Sequence, residues 1–172
     1  KAMSKLHLIY PEIALSAMAL GLLIADLFVA ARHGRLLYHL GWIAAIITLC
    51  LVGMTISDTA TYQGLGTLWV VDPLSQFFKM LLLITTVLCL LLGLEYKQLP
   101  GAHAGTFNAL LLLSAAGMMF LVSSIDLLLL FVSLELISIS SFILTGYERT
   151  NPKSNEGSVK YFLFGAFSSA IM

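Results

Sequence analysis

Charge is what this 172-residue sequence lacks most. Nine Lys and Arg with nine Asp and Glu make up 10% of it, where a soluble domain carries about 25%. That is too little to cover the surface of a soluble fold, and 59% of the residues are hydrophobic. An integral membrane protein is the class that remains. The signs cancel to a net charge of zero, which excludes a basic face for nucleic acid and an acidic tail. Cysteine is scarce too. Cys50 and Cys89 lie inside apolar runs and read as small buried apolar residues, not as a disulfide framework or a metal pair. No CxxC, HExxH, Gly-rich phosphate loop or Ser/His/Asp arrangement occurs. His7, His33, His39 and His103 sit near the ends of apolar runs, which argues against a haem ligand pair within the bilayer.

What the sequence has in quantity is apolar runs of membrane length, about 20 residues each. The first, from Ile9 to Ala31, opens on Pro11 and Glu12, where a missing N–H and a negative charge suit a helix start. It has Asp26 near its end and no small-residue cleavage pattern after it, so it is a true span rather than a signal peptide. After the basic turn Arg32-His33-Gly34-Arg35, residues 36–57 are 22 without a charge. A polar loop with Asp58, Gln63 and Gly64-Leu65-Gly66 follows. Asp72-Pro73, a cap and a first-turn proline, opens a third helix that runs to Leu94. Leu99-Pro100-Gly101 then breaks the chain.

From Phe107 to Tyr147 only Asp126 and Glu135 are charged in 41 residues. One straight helix of that length would reach about 61 Å, twice the bilayer. The run is therefore two helices, with the corner at Ser123-Ser124-Ile125-Asp126, where capping residues cluster. Asn151-Pro152 signals a turn, and Ser154 or Asn155 caps a sixth helix. Val159 to Met172 is only 14 residues of that helix, and Lys1-Ala2 before Met3 reads as a processed tag. The expectation is an N-terminal piece of a longer polytopic protein. Arg32, Arg35, Lys97, Arg149 and Lys153 gather on one side against Lys1 and Lys5 on the other. The N-terminus is expected outside and the basic loops in the cytoplasm.

Sorted by depth, the charges are unequal. Glu135 is the ninth residue of the charge-free surroundings 127–147, near the midplane. An acid there faces protein or trapped water, or pairs with a cation, and marks a functional site more often than a packing contact. At about 100° per residue, Ser138 and Thr145 fall within a quadrant of it and Ser141 at the margin. Their hydroxyls would hold water or relay a proton; the plain reading is a neutral Glu bonded to them. Lys160, about 7 Å into the sixth helix, is open between snorkelling with an i,i+4 pair to Glu156 and a buried cation that exchanges protons. Lys79, a heptad from Asp72, is expected to snorkel to the outer surface. Asp26 and Asp126 read as interfacial or capping groups.

Three stretches carry a resemblance. LELISISSFILTGYER (134–149) followed by VKYFLFGAFSSAIM (159–172) resembles a block of the subunit N family of respiratory complex I, the proton-pumping NADH:quinone oxidoreductase. YPEIALSAMALGLLIADLF and DPLSQFFKMLLLITTVLCLLL upstream are similar to it too, and the likeness is weakest from 31 to 67. The resemblance implies an all-α polytopic bundle of the antiporter-like, inverted-repeat kind. Residues 1–106 would be N-terminal helices one to three, and 107–172 the truncated start of the first repeat. It also implies that Glu135 and Lys160 are the proton-transfer residues, supported by Ser138, Ser141 and Thr145. The chain would bind no cofactor or metal; NAD, FMN, iron–sulfur clusters and quinone would belong to other subunits. Its partners would be other membrane-arm subunits and lipid, not nucleic acid, in a bacterial cytoplasmic (inner) membrane. The alternatives are a subunit of a cation/proton antiporter or membrane-bound hydrogenase, and a structural scaffold with Glu135 as packing glue.

Overall fold

A computed structural model describes residues 8–55, 61–64, 68–94 and 104–172, with backbone alone at 29–36, 62–64, 94 and 104. The elements in order are α1 (Tyr10–Thr55), β1 (Tyr62–Gly64), β2 (Trp69–Val71), α2 (Pro73–Leu94), α3 (Ala104–Ser123), α4 (Leu127–Thr145) and α5 (Pro152–Ile171). Apart from the two short strands the described chain is an all-α bundle, as expected. Among the described residues, five helical stretches are long and apolar enough to cross a membrane: Tyr10–Phe28, Leu37–Thr55, Pro73–Gly93, Gly105–Ser123 and Leu127–Thr145. The chain is an integral membrane protein.

The 46-residue α1 holds the first two of these spans. Straight, it would separate Glu12 from Thr55 by roughly 64 Å. Yet Glu12 pairs with Lys79 and Thr55 accepts from the Gln76 amide, both in the first two turns of α2. At the other end, Asp26 accepts from the Thr106 N–H and the Tyr38 carbonyl accepts from the Asn108 amide, both in the first turns of α3. The chain therefore reverses between Phe28 and Leu37, and the two spans lie antiparallel. Leu15, Ala19, Leu37, Ala45 and Val52 pack with Leu83 and Leu90 of α2 around the buried Ala109, Leu112, Ala115, Ala116 and Met119 of α3. The alanines let α3 sit centrally, close to its neighbours.

Capping chemistry sets the helix ends. Ser75 N–H donates to the Asp72 carboxylate at 2.7 Å, and Asp72 N–H to Ser75 Oγ at 3.0 Å, a reciprocal cap on α2. Held chiefly by that backbone N–H, the Asp72 carboxyl lies below its ordinary range, and the charge of Lys79 adds to the effect. The corner falls where expected: α3 ends at Ser123, and Asp126 caps α4 by accepting from Leu128 N–H. The sixth helix starts earlier than expected. Asn151, not Ser154 or Asn155, is its cap, accepting from Lys153 N–H with Pro152 as first residue. The Asn-Pro pair thus starts a helix as Asp72-Pro73 does.

Two further expectations change. Part of the polar loop before Asp72 pairs with the residues that follow it, Tyr62–Gly64 running antiparallel to Trp69–Val71. This hairpin seats Trp69 and Val71 on Leu8 and Ile9 and joins the α3–α4 corner through Ile125 N–H to the Leu68 carbonyl. Cys50 and Cys89 are exposed, not buried, on outer faces that Ile47, Leu88 and Leu92 share. In a membrane chain an apolar run makes a lipid-facing surface as readily as a core. Lys1, Lys5, Lys97 and the side chains of Arg32 and Arg35 fall outside what is described, whereas Arg149 and Lys153 lie at the connection from α4 to α5.

Candidate functional site

Glu135 lies eight residues into α4, about 12 Å along a 19-residue span. Its facing follows from what α4 packs on. Ser133 and Ser140 are buried, and a Cβ on Gly117 of α3 would meet Ile137 Cγ1 at 2.9 Å and the Ser133 carbonyl at 3.3 Å. The stripe 133–137–140 is therefore the α3 face. Glu135 is two residues from both Ser133 and Ile137, so it points about 160° away from that face. It is half-buried, and among the described residues no hydrogen-bond or ion-pair partner reaches its carboxylate.

The three hydroxyls expected to support Glu135 are not alike. Ser141 donates to the Ile137 carbonyl and Thr145 to the Ser141 carbonyl, each at 2.8 Å and each within their own helix. These protons are committed, although the oxygens can still accept. Ser138, half-buried, has no partner among the described residues. Phe142, a heptad from Glu135 on the same face, is where α5 makes contact. Ser158 Oγ donates to its carbonyl at 2.9 Å, and its ring stands edge-on to Tyr161 at 4.7 Å and to Phe162 at 5.7 Å. Ser154 Oγ also donates to the Thr145 carbonyl.

Lys160 is not brought to Glu135. It pairs with Glu156 one turn earlier at 2.5 Å, and both side chains are about two-thirds exposed, at 66% and 65%. With α5 starting at Pro152, Lys160 lies about 12 Å into the helix instead of 7 Å. It stays near the level of Phe142, roughly 10 Å along the axis from Glu135. Of the two readings open for Lys160, the i,i+4 pair is the contact this structure contains.

Two charges depart from the expected pattern. Lys79 does not snorkel. It is 1% exposed, and its ammonium stands 2.5 Å from the carboxylate of Glu12, itself fully buried, and 5.3 Å from the Trp69 ring centre. The snorkelling rule holds for a helix facing lipid, whereas this face of α2 is covered by α1 and the hairpin. Asp26 is buried as well, and the capping it performs is for another helix. It accepts from the N–H of Thr106 at 2.9 Å and from the Thr106 hydroxyl, in the first turn of α3, eighty residues on. Nothing in the local spacing of either residue signals these partners.

Tyr147, just past the end of α4, closes the Asp26 end of the bundle with its ring edge-on to Phe107 at 5.4 Å. Burial pushes its phenol up to about 12, and the negative charge of Asp26 pushes the same way. A raised phenol contributes stability that is complete below pH ~10 and is lost as pH rises through about 12. In the phenolate absorbance difference between the wild type and Tyr147→Phe, ionisation is expected at about 12. A midpoint at the ordinary value of ~10 would contradict this environment.

Residues 124–172 match the family described as NADH:quinone oxidoreductase/Mrp antiporter, transmembrane. Over 97% of its length the chain is 33% identical to the NADH-quinone oxidoreductase subunit N of Trichlorobacter lovleyi, 34% of which it covers. It is 38% identical, over 95% of its length, to 31% of the NAD(P)H-quinone oxidoreductase subunit 2 of Synechococcus elongatus. To the F(420)H(2) dehydrogenase subunit N of Methanosarcina mazei it is 31% identical over 99% of its length and 36% of that protein. The chain spans about a third of the length of these relatives.

Proposed function

Because the chain belongs to the NADH:quinone oxidoreductase/Mrp antiporter transmembrane family, we propose that it is a membrane-arm subunit of an NADH:quinone oxidoreductase. In that role it translocates protons, driven by electron transfer from NADH to quinone in other subunits. The observation that carries the proposal is the Glu135 carboxylate, mid-span, half-buried and without a protein partner among the described residues. An intramembrane acid costs roughly 2.5–3.5 kcal/mol on insertion scales, and proton relays are a principal reason to keep one. A cation drawn toward Glu135 favours its carboxylate, and withdrawing the cation favours its protonation.

Glu135 and Lys160 would be the exchanging pair in that scheme, with Ser138 and the oxygens of Ser141 and Thr145 holding water between them. Lys160 would first have to leave Glu156. Residues 1–106 would form the N-terminal helices and 107–172 the start of the first repeat. The chain would lie in a bacterial inner membrane, N-terminus outside, among other membrane-arm subunits and lipid. NAD, FMN, iron–sulfur clusters and quinone would be held by the other subunits. The relatives are named for NADH, NAD(P)H and F(420)H(2), so this segment suits several electron donors. The family description also includes an antiporter, and a chain serving one would exchange a cation for protons without NADH.

Lys160→Ala in the full-length protein, assembled in its complex and reconstituted in vesicles, tests the scheme. An exposed ion pair contributes at most about 1 kcal/mol, so assembly is expected to persist while NADH-driven acidification falls. Lys160→Arg is expected to retain charge and slow proton release. Normal pumping by the alanine variant would return Lys160 to the surface pair with Glu156.

A further inference from the structure

The end of the bundle beneath the β1–β2 hairpin holds a second set of buried polar groups, far along the chain from Glu135. Glu12 and Lys79 are 0% and 1% exposed, and Gln76 and Trp69 are buried with them. The ion pair is close, yet neither Glu12 oxygen is in directed hydrogen-bond geometry with a donor. The Gln76 Oε1 and Trp69 Nε1 atoms are also buried without a partner. An ion pair kept only as a clamp gains from having its remaining lone pairs and protons satisfied by the protein. Here several are left over, on Glu12 of α1, Trp69 of β2 and Gln76 of α2, and a polar site of that kind is satisfied by ordered water.

A half-buried acid stands between these groups and the start of α2. Asp72 caps α2 at the membrane edge and lies one heptad from Lys79, on nearly the same face and about 10 Å away along the axis. The ammonium of Lys79 reaches Asp72 electrostatically and helps to keep it ionised. Asp72, Lys79 and Glu12 thus step from the rim inward, with Trp69 of the hairpin over the ammonium. Among the described residues, the charged groups at this end of the bundle are these three and Asp126, which caps α4 at the corner the hairpin joins.

We infer that Glu12 and Lys79 form a second, hydrated proton-exchange site at the hairpin end of the bundle, with water as the ligand of Glu12, Gln76 and Trp69. The exchange balances within the pair. A Lys79 Nζ–H bond breaks, an O–H bond forms on Glu12, and the amine and acid are both neutral until a proton from water restores the ammonium and Glu12 releases its own. The inference rests on the proton-translocating reading of this chain.

The test uses the full-length protein in its assembled complex, with protons pumped per electron as the readout. Removing both charges in Glu12→Gln/Lys79→Met leaves no unpaired buried ion, so the double variant is expected to assemble. Its proton exchange at this end should slow roughly 100-fold, read as a lower pumping ratio. A wild-type ratio in the double variant would overturn the inference and leave a structural clamp. Glu12→Asp, which keeps the charge and moves it, covers the case in which the double variant does not assemble. Slower pumping at unchanged thermal stability supports exchange; lower stability at unchanged pumping overturns it. Glu135→Gln in parallel separates the two proposals. If that variant also pumps normally, proton translocation through this chain fails as a whole; if only the Glu12 and Lys79 variants pump normally, this inference alone fails.

Discussion

Replacing Lys79 alone with methionine is expected to destabilise the protein by ~3–5 kcal/mol. Methionine fills much the same volume and keeps the apolar stem, so the loss is mainly of charge. Glu12 would be left fully buried, its carboxylate without the ammonium now 2.5 Å away. It must then protonate or draw water in, and either outcome loosens the contact of the first span with α2. The cation–π contact of the ammonium with Trp69 disappears too, which is worth ~0.5–2 kcal/mol. Thermal melting of the assembled complex checks this expectation, and a midpoint unchanged from the wild type would mean that Lys79 is not buried as described. The double variant with Glu12→Gln should recover most of the loss, since two neutral groups need no counter-ion.

Glu135→Gln is expected to have the opposite profile, little effect on stability and a large one on pumping. The carboxylate makes no described contact that an amide would break, so the cost in stability should stay within about 1 kcal/mol. Glutamine keeps the shape and polarity of the side chain but cannot carry a proton at neutral pH. Loss of a positioned acid–base group slows proton transfer by roughly 100-fold or more. Alanine would be a weaker probe because it adds a void to the change in chemistry. If the glutamine variant pumps at the wild-type ratio, Glu135 is packing glue and the scaffold reading is correct.

These two residues also show what could be read from sequence. Glu135 was legible because its position depends on local facts alone: a charge-free run, its length, and a corner fixed by Ser123 and Asp126. Asp72-Pro73 was legible for the same reason. Lys79 and Asp26 were not, because each is settled by a residue 67 to 80 positions away that no helical period connects to it. Snorkelling and self-capping are what an isolated helix in lipid would do; tertiary neighbours overrode both. The hairpin is not legible because three-residue strands carry too short an alternation to separate from a loop. Cys50 and Cys89 face outward against expectation because in a membrane protein hydrophobic and buried are different properties.

Glu135 is expected to gain and lose a proton during turnover. Infrared difference spectroscopy of the assembled complex, recorded between resting and NADH-driven states, measures this directly. A carboxylic C=O band that changes with turnover and is missing from Glu135→Gln is the predicted result. A spectrum in which Glu135→Gln removes no turnover-dependent band would contradict the account.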